Sequence, residues 1–173
     1  MAASDTPSAS LTESILSMMR PFVGKKLGAM PFDCVTRWLD APAHLVFEAW
    51  STPELFVRWW LPKSMGMSLQ AYEMDVRTGG GYRLDFGNGM EFFGSYVEVT
   101  PPSRIVWTNE EGGESTSVTT VTLTEEDGRT LLTVSEVYPS KEALDAAGTG
   151  AAEAMHETLA QLDELLLELA SRS

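Results

Sequence analysis

Residues 148–170 read GTGAAEAMHETLAQLDELLLELA. Met155, Leu159, Leu162, Leu166 and Leu169 recur at alternating steps of four and three. At about 3.6 residues per turn this spacing makes one continuous apolar stripe. Glu153, Glu157, Asp163, Glu164 and Glu168 fall mostly off it, and neither Gly nor Pro interrupts the run after Gly150. The pattern predicts one amphipathic helix of about five to six turns. Burying each Leu or Met contributes roughly 1.5–3 kcal/mol, about ten for the whole stripe if covered. A coiled-coil seam would use the same residues, but the stripe spans only about two heptads, fewer than such a seam needs. The helix therefore needs a broad surface to lie on within its own chain.

The segments before it supply that surface. Six runs with strand character follow one another: Met67 to Val76, Gly81 to Phe86, Met90 to Val99, Arg104 to Asn109, Ser115 to Thr124 and Thr130 to Tyr138. Between them lie Gly79-Gly80-Gly81, Gly87-Asn88-Gly89, Pro101-Pro102, Gly112-Gly113 and Asp127-Gly128. Links this short join antiparallel neighbours, because parallel strands need long crossovers. The runs therefore read as a meander.

Ahead of the meander, Phe32 to Asp40 alternates as a strand. Pro42 opens a short helix with Leu45, Val46, Ala49 and Trp50 on its inner side. Ser51, Thr52 and Pro53 break it and start another, carrying Leu55, Phe56, Trp59 and Trp60 until Pro62. Ser10 and Glu13 have capping-box spacing for a short helix that stops before Pro21, and Phe22 to Met30 reads as linker. The domain organisation expected is an N-terminal extension over residues 1–30 and one α+β domain over 31–173.

Composition narrows the function classes. Twelve basic against 25 acidic side chains give a net charge of -13, so phosphate backbones and anionic lipid are repelled. Cys34 is the single cysteine, which excludes an intrachain disulfide and a thiolate metal cluster and fits a reducing compartment. Its expected place is as a small buried hydrophobe. No apolar run approaches the ~18 residues of a membrane span, and no basic cap with an apolar centre marks a signal peptide, so the expected location is cytoplasmic, without membrane insertion. His44 and His156 have no ligand spacing, so neither metal nor cofactor is expected.

Several runs together resemble one known family. They are Asp40-Ala41-Pro42, Ala49-Trp50, Pro53-Glu54, Trp59-Trp60 with Pro62, Met74-Asp75-Val76-Arg77 with Gly79-Gly80, Gly94 with Tyr96 and Glu98-Val99, and Pro101-Pro102 with Arg104-Ile105. In this order they look like the START-related SRPBCC superfamily, within it the branch named after the activator of the ninety-kilodalton heat-shock chaperone ATPase. The resemblance covers about Phe32 to Leu169. It implies a helix-grip (START/Bet v-like) fold: a curved seven-stranded antiparallel sheet around the C-terminal helix, two short helices after the first strand, and an apolar cavity between. It also implies a hydrophobic ligand, a cyclase-type reaction in some members, and a chaperone partner by family name. Two positions depart from the pattern. Ala154-Met155 stand where relatives often carry Gly-Trp, and Leu61 where they often carry Gly.

If the sheet grips the helix, alternation puts Tyr82, Leu84 and Phe86; Phe92, Gly94 and Tyr96; Ile105 and Trp107; Thr119, Val121 and Leu123; and Leu132, Val134 and Glu136 on the inner side. The ligand-binding candidates are Trp50, Trp59, Trp60, Tyr82, Leu84, Phe92, Tyr96, Trp107, Val121, Val134, Glu136, Met155 and Leu159. The same residues also suit an ordinary packed core. No catalytic residue is assigned; Glu136 is the one weak candidate, an inward carboxylate that must be paired, protonated or wet, with Tyr82 or Tyr96 to assist it. A register slip that turns it outward, or a salt bridge near the strand end with Arg83 or another base, is the plainer expectation for it. The expected partner is a small hydrophobic or amphipathic molecule, with no nucleic acid, and the N-terminal arm and sheet edges leave a homodimer open.

Overall fold

The computed structural model describes residues 32–110, 116–147 and 150–172. The helix expected before Pro21 and the linker after it lie outside the described residues. Strand β1 (Phe32–Leu39) leads into helices α1 (Ala43–Ser51) and α2 (Pro53–Trp59) and a 3-10 turn (Lys63–Met65). Then come β2 (Ala71–Met74), β3 (Gly81–Asp85), β4 (Glu91–Thr100), β5 (Arg104–Asn109), β6 (Ser117–Glu126) and β7 (Arg129–Val137). Helices α3 (Lys141–Ala147) and α4 (Gly150–Ser171) close the chain. The strands form one seven-stranded sheet in the order β1-β7-β6-β5-β4-β3-β2, with every neighbouring pair antiparallel. This is the helix-grip arrangement: a meander from β2 to β7, β1 added beside β7, and a long terminal helix on one face.

Local chemistry explains the joints. Asp127 (φ 52) and Gly128 (φ 77) both take the left-handed conformation, which gives the β6–β7 hairpin a turn matched to strand twist. At Pro53, the missing N–H falls in the first turn of α2, where it costs no hydrogen bond. In the opposite sense, β2 is shorter than the expected Met67 to Val76. Met67 and Leu69 pack against the core ahead of the strand, and Gly66 (φ 61) ends the 3-10 turn in a left-handed bend. Helix α3 was not expected; the Ser140 hydroxyl accepts a hydrogen bond from Ala143 N–H at 3.1 Å and caps its start.

The register sorts each strand onto two faces. Rows run across the sheet through Val35, Val134, Val121 and Ile105, and through Arg37, Leu132 and Leu123. Leu159, Leu162, Leu165 and Leu166 of α4 join Val121, Leu123, Leu132, Val134 and Ile105 in one buried cluster, with Val46 and Ala49 of α1 and Phe56 and Trp59 of α2. Arg37 on this face donates to Asp163 of α4, at 2.9 Å from Nε to Oδ2, and ties β1 to the helix. Cys34 is exposed, which corrects the expectation of burial. It has the parity of Thr36 and Trp38, the outer face of β1, whereas the inner face is taken by Val35, Arg37 and Leu39.

Candidate functional site

At the other end of the same inner face the rows change character. Asp33, Glu136, Thr119, Trp107 and Tyr96 form one row, and Ser117 sits opposite Asn109 in the next. Here the sheet and α4 do not close on each other. A cavity of about 840 Å³ lies between them, within the size range of small-molecule sites.

Its walls come from four sources. Trp50 of α1 stands edge-on to Trp59 (ring centroids 4.7 Å apart) and tilted against Trp107 (5.9 Å). Phe56 of α2 stacks on Trp60 at 5.4 Å, and Trp60 meets Phe92 edge-on at 5.9 Å. Phe86, Phe92, Tyr82 and Leu84 line the sheet side. Met65, Met67, Met74 and Met90 border the same space; Met65 is 57% exposed and Met90 40%. Thioether chains with three rotatable bonds make an adaptable rim.

The polar end is organised by one amide. Asn109 Oδ1 accepts from Tyr82 OH (2.9 Å) and Trp107 Nε1 (3.0 Å), while Nδ2 donates to Thr119 Oγ1 (2.9 Å), Ser117 Oγ (3.1 Å) and Glu136 Oε1 (3.3 Å). Ser117 Oγ also donates to Glu136 Oε1. Burial, then the charge of Glu136 and a hydrogen bond to it, push the Tyr138 phenol above its ordinary value, so it is a neutral donor beside a carboxylate. Burial, and secondarily the charge of Asp75, push the Tyr96 phenol up in the same way. Arg83 does not reach Glu136: it pairs with Glu91. At the helix side, Glu157 accepts from Ser64 N–H at 2.9 Å and from the Ser64 hydroxyl, which hold its carboxyl below the ordinary value. Trp50 Nε1 is buried with no hydrogen-bond partner among the described residues.

Of the residues expected to bind a ligand, Trp50, Trp60, Tyr82, Leu84, Phe92, Tyr96, Trp107, Glu136 and Met155 line the cavity. Trp59, Val121, Val134 and Leu159 do not; they lie in the packed cluster, and Trp59 Nε1 is spent on the carbonyl of Ala49 at 3.0 Å. Asn109 and Tyr138 were missed, although each continues the inward parity of its strand, two residues past Trp107 and Glu136.

A family model described as activator of Hsp90 ATPase homolog 1-like protein matches residues 40–167. The chain belongs to this family. Solved structures with the same helix-grip fold include a protein from Nitrosomonas europaea, 23% identical, covering 83% of this chain and 99% of its own, with a TM-score of 0.73. A Rhodobacter sphaeroides protein is 24% identical over 80% of this chain and 93% of its own, with a TM-score of 0.70. A Mycobacterium smegmatis protein is 23% identical over 82% and 93%, with a TM-score of 0.66. A search of curated proteins finds no match. As a member of the Hsp90 ATPase activator homolog 1-like family, the chain carries its two departures at the cavity itself: Leu61, Ala154 and Met155 all line it. No helix among the described residues is long and apolar enough to cross a membrane.

Proposed function

We propose that the protein holds a small hydrophobic or amphipathic molecule in the cavity between the sheet and α4. The observation that carries this reading is a space of about 840 Å³ walled by aromatic and methionine side chains, with hydrogen-bonding groups gathered at one end. Apolar walls supply affinity in proportion to the area they desolvate, and a few fixed polar groups supply orientation. The buried Trp50 N–H, without a partner among the described residues, adds a donor that a ligand acceptor would satisfy. Native mass spectrometry of the protein as purified from cells tests the reading directly. In parallel, Met155→Trp fills the cavity and should weaken uptake of an environment-sensitive dye, while a folded variant with unchanged uptake would count against this site.

An enzyme of cyclase or hydrolase type using the same space is the second reading, favoured by an inward Glu136 held among neutral donors. A Glu136→Gln protein would then keep ligand binding and lose turnover. A chaperone partner rests on the family name and is tested by stimulation of the chaperone ATPase. A cytoplasmic location and a homodimer through the open sheet edge of β1 or β2 complete the reading, with fractionation and sedimentation as their checks.

A further inference from the structure

We infer that the ligand class is a hydrophobic amine, its protonated nitrogen seated at Glu136. The inference rests on the reading that the cavity holds a ligand, and adds which charge its polar end carries. Glu136 and Asp33 are directly opposed on β7 and β1, so their side chains share one face. Like charges in that position destabilise a sheet. Neither carboxylate has an ion-pair partner among the described residues. None of the described residues lining the cavity is Lys, Arg or His. Among the described residues, the groups that hydrogen-bond to Glu136 are neutral: the Ser117 hydroxyl, the Asn109 amide and the Tyr138 phenol.

An anionic headgroup would meet the Glu136 carboxylate, with Asp33 paired beside it on β1, and no cation among the described lining residues would receive it. A protonated amine would instead relieve their repulsion and complete the hydrogen bonding of Glu136, which as a carboxylate accepts about four bonds. The surroundings favour a cation a second time. Trp107 and Tyr82 are held on the same Asn109 amide as Glu136, and their ring faces attract positive charge. The rest of the cavity, lined by Trp60, Phe86, Phe92 and methionines, takes the apolar body of the molecule.

The experiment uses the full chain and the neutral dye N-phenylnaphthylamine, displaced by dodecylamine, dodecanol or dodecanoate near neutral pH. Physiological salt screens the general negative field of the protein. Dodecylamine should displace the dye at a concentration about tenfold or more below that of dodecanoate, with dodecanol between. In Glu136→Gln that ratio should collapse to within about threefold, and Asp33→Asn, which leaves the lining intact, should lower it partway. Equal displacement by all three compounds, or a ratio untouched by Glu136→Gln, overturns the amine inference while leaving the cavity reading standing. A dye that never enters overturns both.

Discussion

Gln161 of α4 donates from Nε2 to the carbonyls of Trp59 (2.8 Å) and Leu61 (2.7 Å), while its Oε1 accepts from Lys63 N–H at 3.0 Å. One buried side chain thus ties the end of α2, whose last carbonyls lack helical partners, to the long helix. The tethered segment is also the one that delivers Trp60, Leu61 and Pro62 to the cavity. Gln161→Leu keeps the volume but orphans two acceptors and a donor, so it should cost roughly 2–4 kcal/mol. Urea unfolding measures that loss, and dye uptake should fall with it. A loss below about 0.5 kcal/mol would mean water replaces the amide without penalty.

Gly94 is required by space. A Cβ there would sit 1.8 Å from the Thr108 carbonyl oxygen and 3.0 Å from Tyr82 Cε1. The neighbour is backbone in the next strand, so it cannot swing aside. Gly94→Ala should therefore cost about 3 kcal/mol or more, or prevent accumulation of folded protein. Gly89 gives the contrast: its φ of 76 disfavours a side chain, but nothing lies within 4 Å. Gly89→Ala should cost only about 1–2 kcal/mol. Thermal unfolding of the two variants decides; equal losses would refute the close-approach argument.

The Ser64–Glu157 pair gives the acid limb a direction. Its hydrogen bonds lower the Glu157 carboxyl from its ordinary 4.5. As the pH falls, the unfolded chain takes up this proton first, so the contribution is present above 4.5 and lost as pH falls through the lower, folded value. Ser64→Ala should narrow the stability difference between neutral and acid pH, seen as urea midpoints that converge with wild type toward low pH. Midpoints separated by the same amount throughout would show that the pair is not linked to protonation.

Much of this fold was legible because two periodicities are clean. The four-and-three stripe around Leu162 reports a helix with one buried side, and the turns at Gly87-Asn88-Gly89 and Asp127-Gly128 locate hairpins through left-handed backbone that few residues adopt. Inner-face parity placed Tyr82, Tyr96, Trp107 and Glu136 together for the same reason. What parity lacks is distance along the strand. Val121 and Val134 share a face with Thr119 and Glu136, yet one row further on they lie beneath Leu159 and Leu162 in solid packing. Where the helix stops covering the sheet depends on the path of α4, which the local sequence does not encode. Cys34 fails differently: in a strand where both parities carry apolar residues, Trp38 on the outer face, stacked under Arg129 at 5.2 Å, disguises which side is buried.

The tyrosines at the polar end offer a test in alkali. Tyr138 and Tyr96 are both raised from the ordinary 10.0, chiefly by burial, and Tyr138 additionally by the charge of Glu136 and a hydrogen bond to it. Above 10.0 the unfolded chain releases these protons while the folded protein retains them. Stability is therefore fully present below that value and declines as pH rises toward the folded ones. Tyr138→Phe should flatten the decline of urea midpoints in alkali, and Glu136→Gln should bring the Tyr138 phenolate absorbance to lower pH without restoring an ordinary titration, because burial is the larger cause. If the substitution does not move the Tyr138 titration, Glu136 is not electrostatically coupled to the phenol beside it, and the polar end is not organised around its charge.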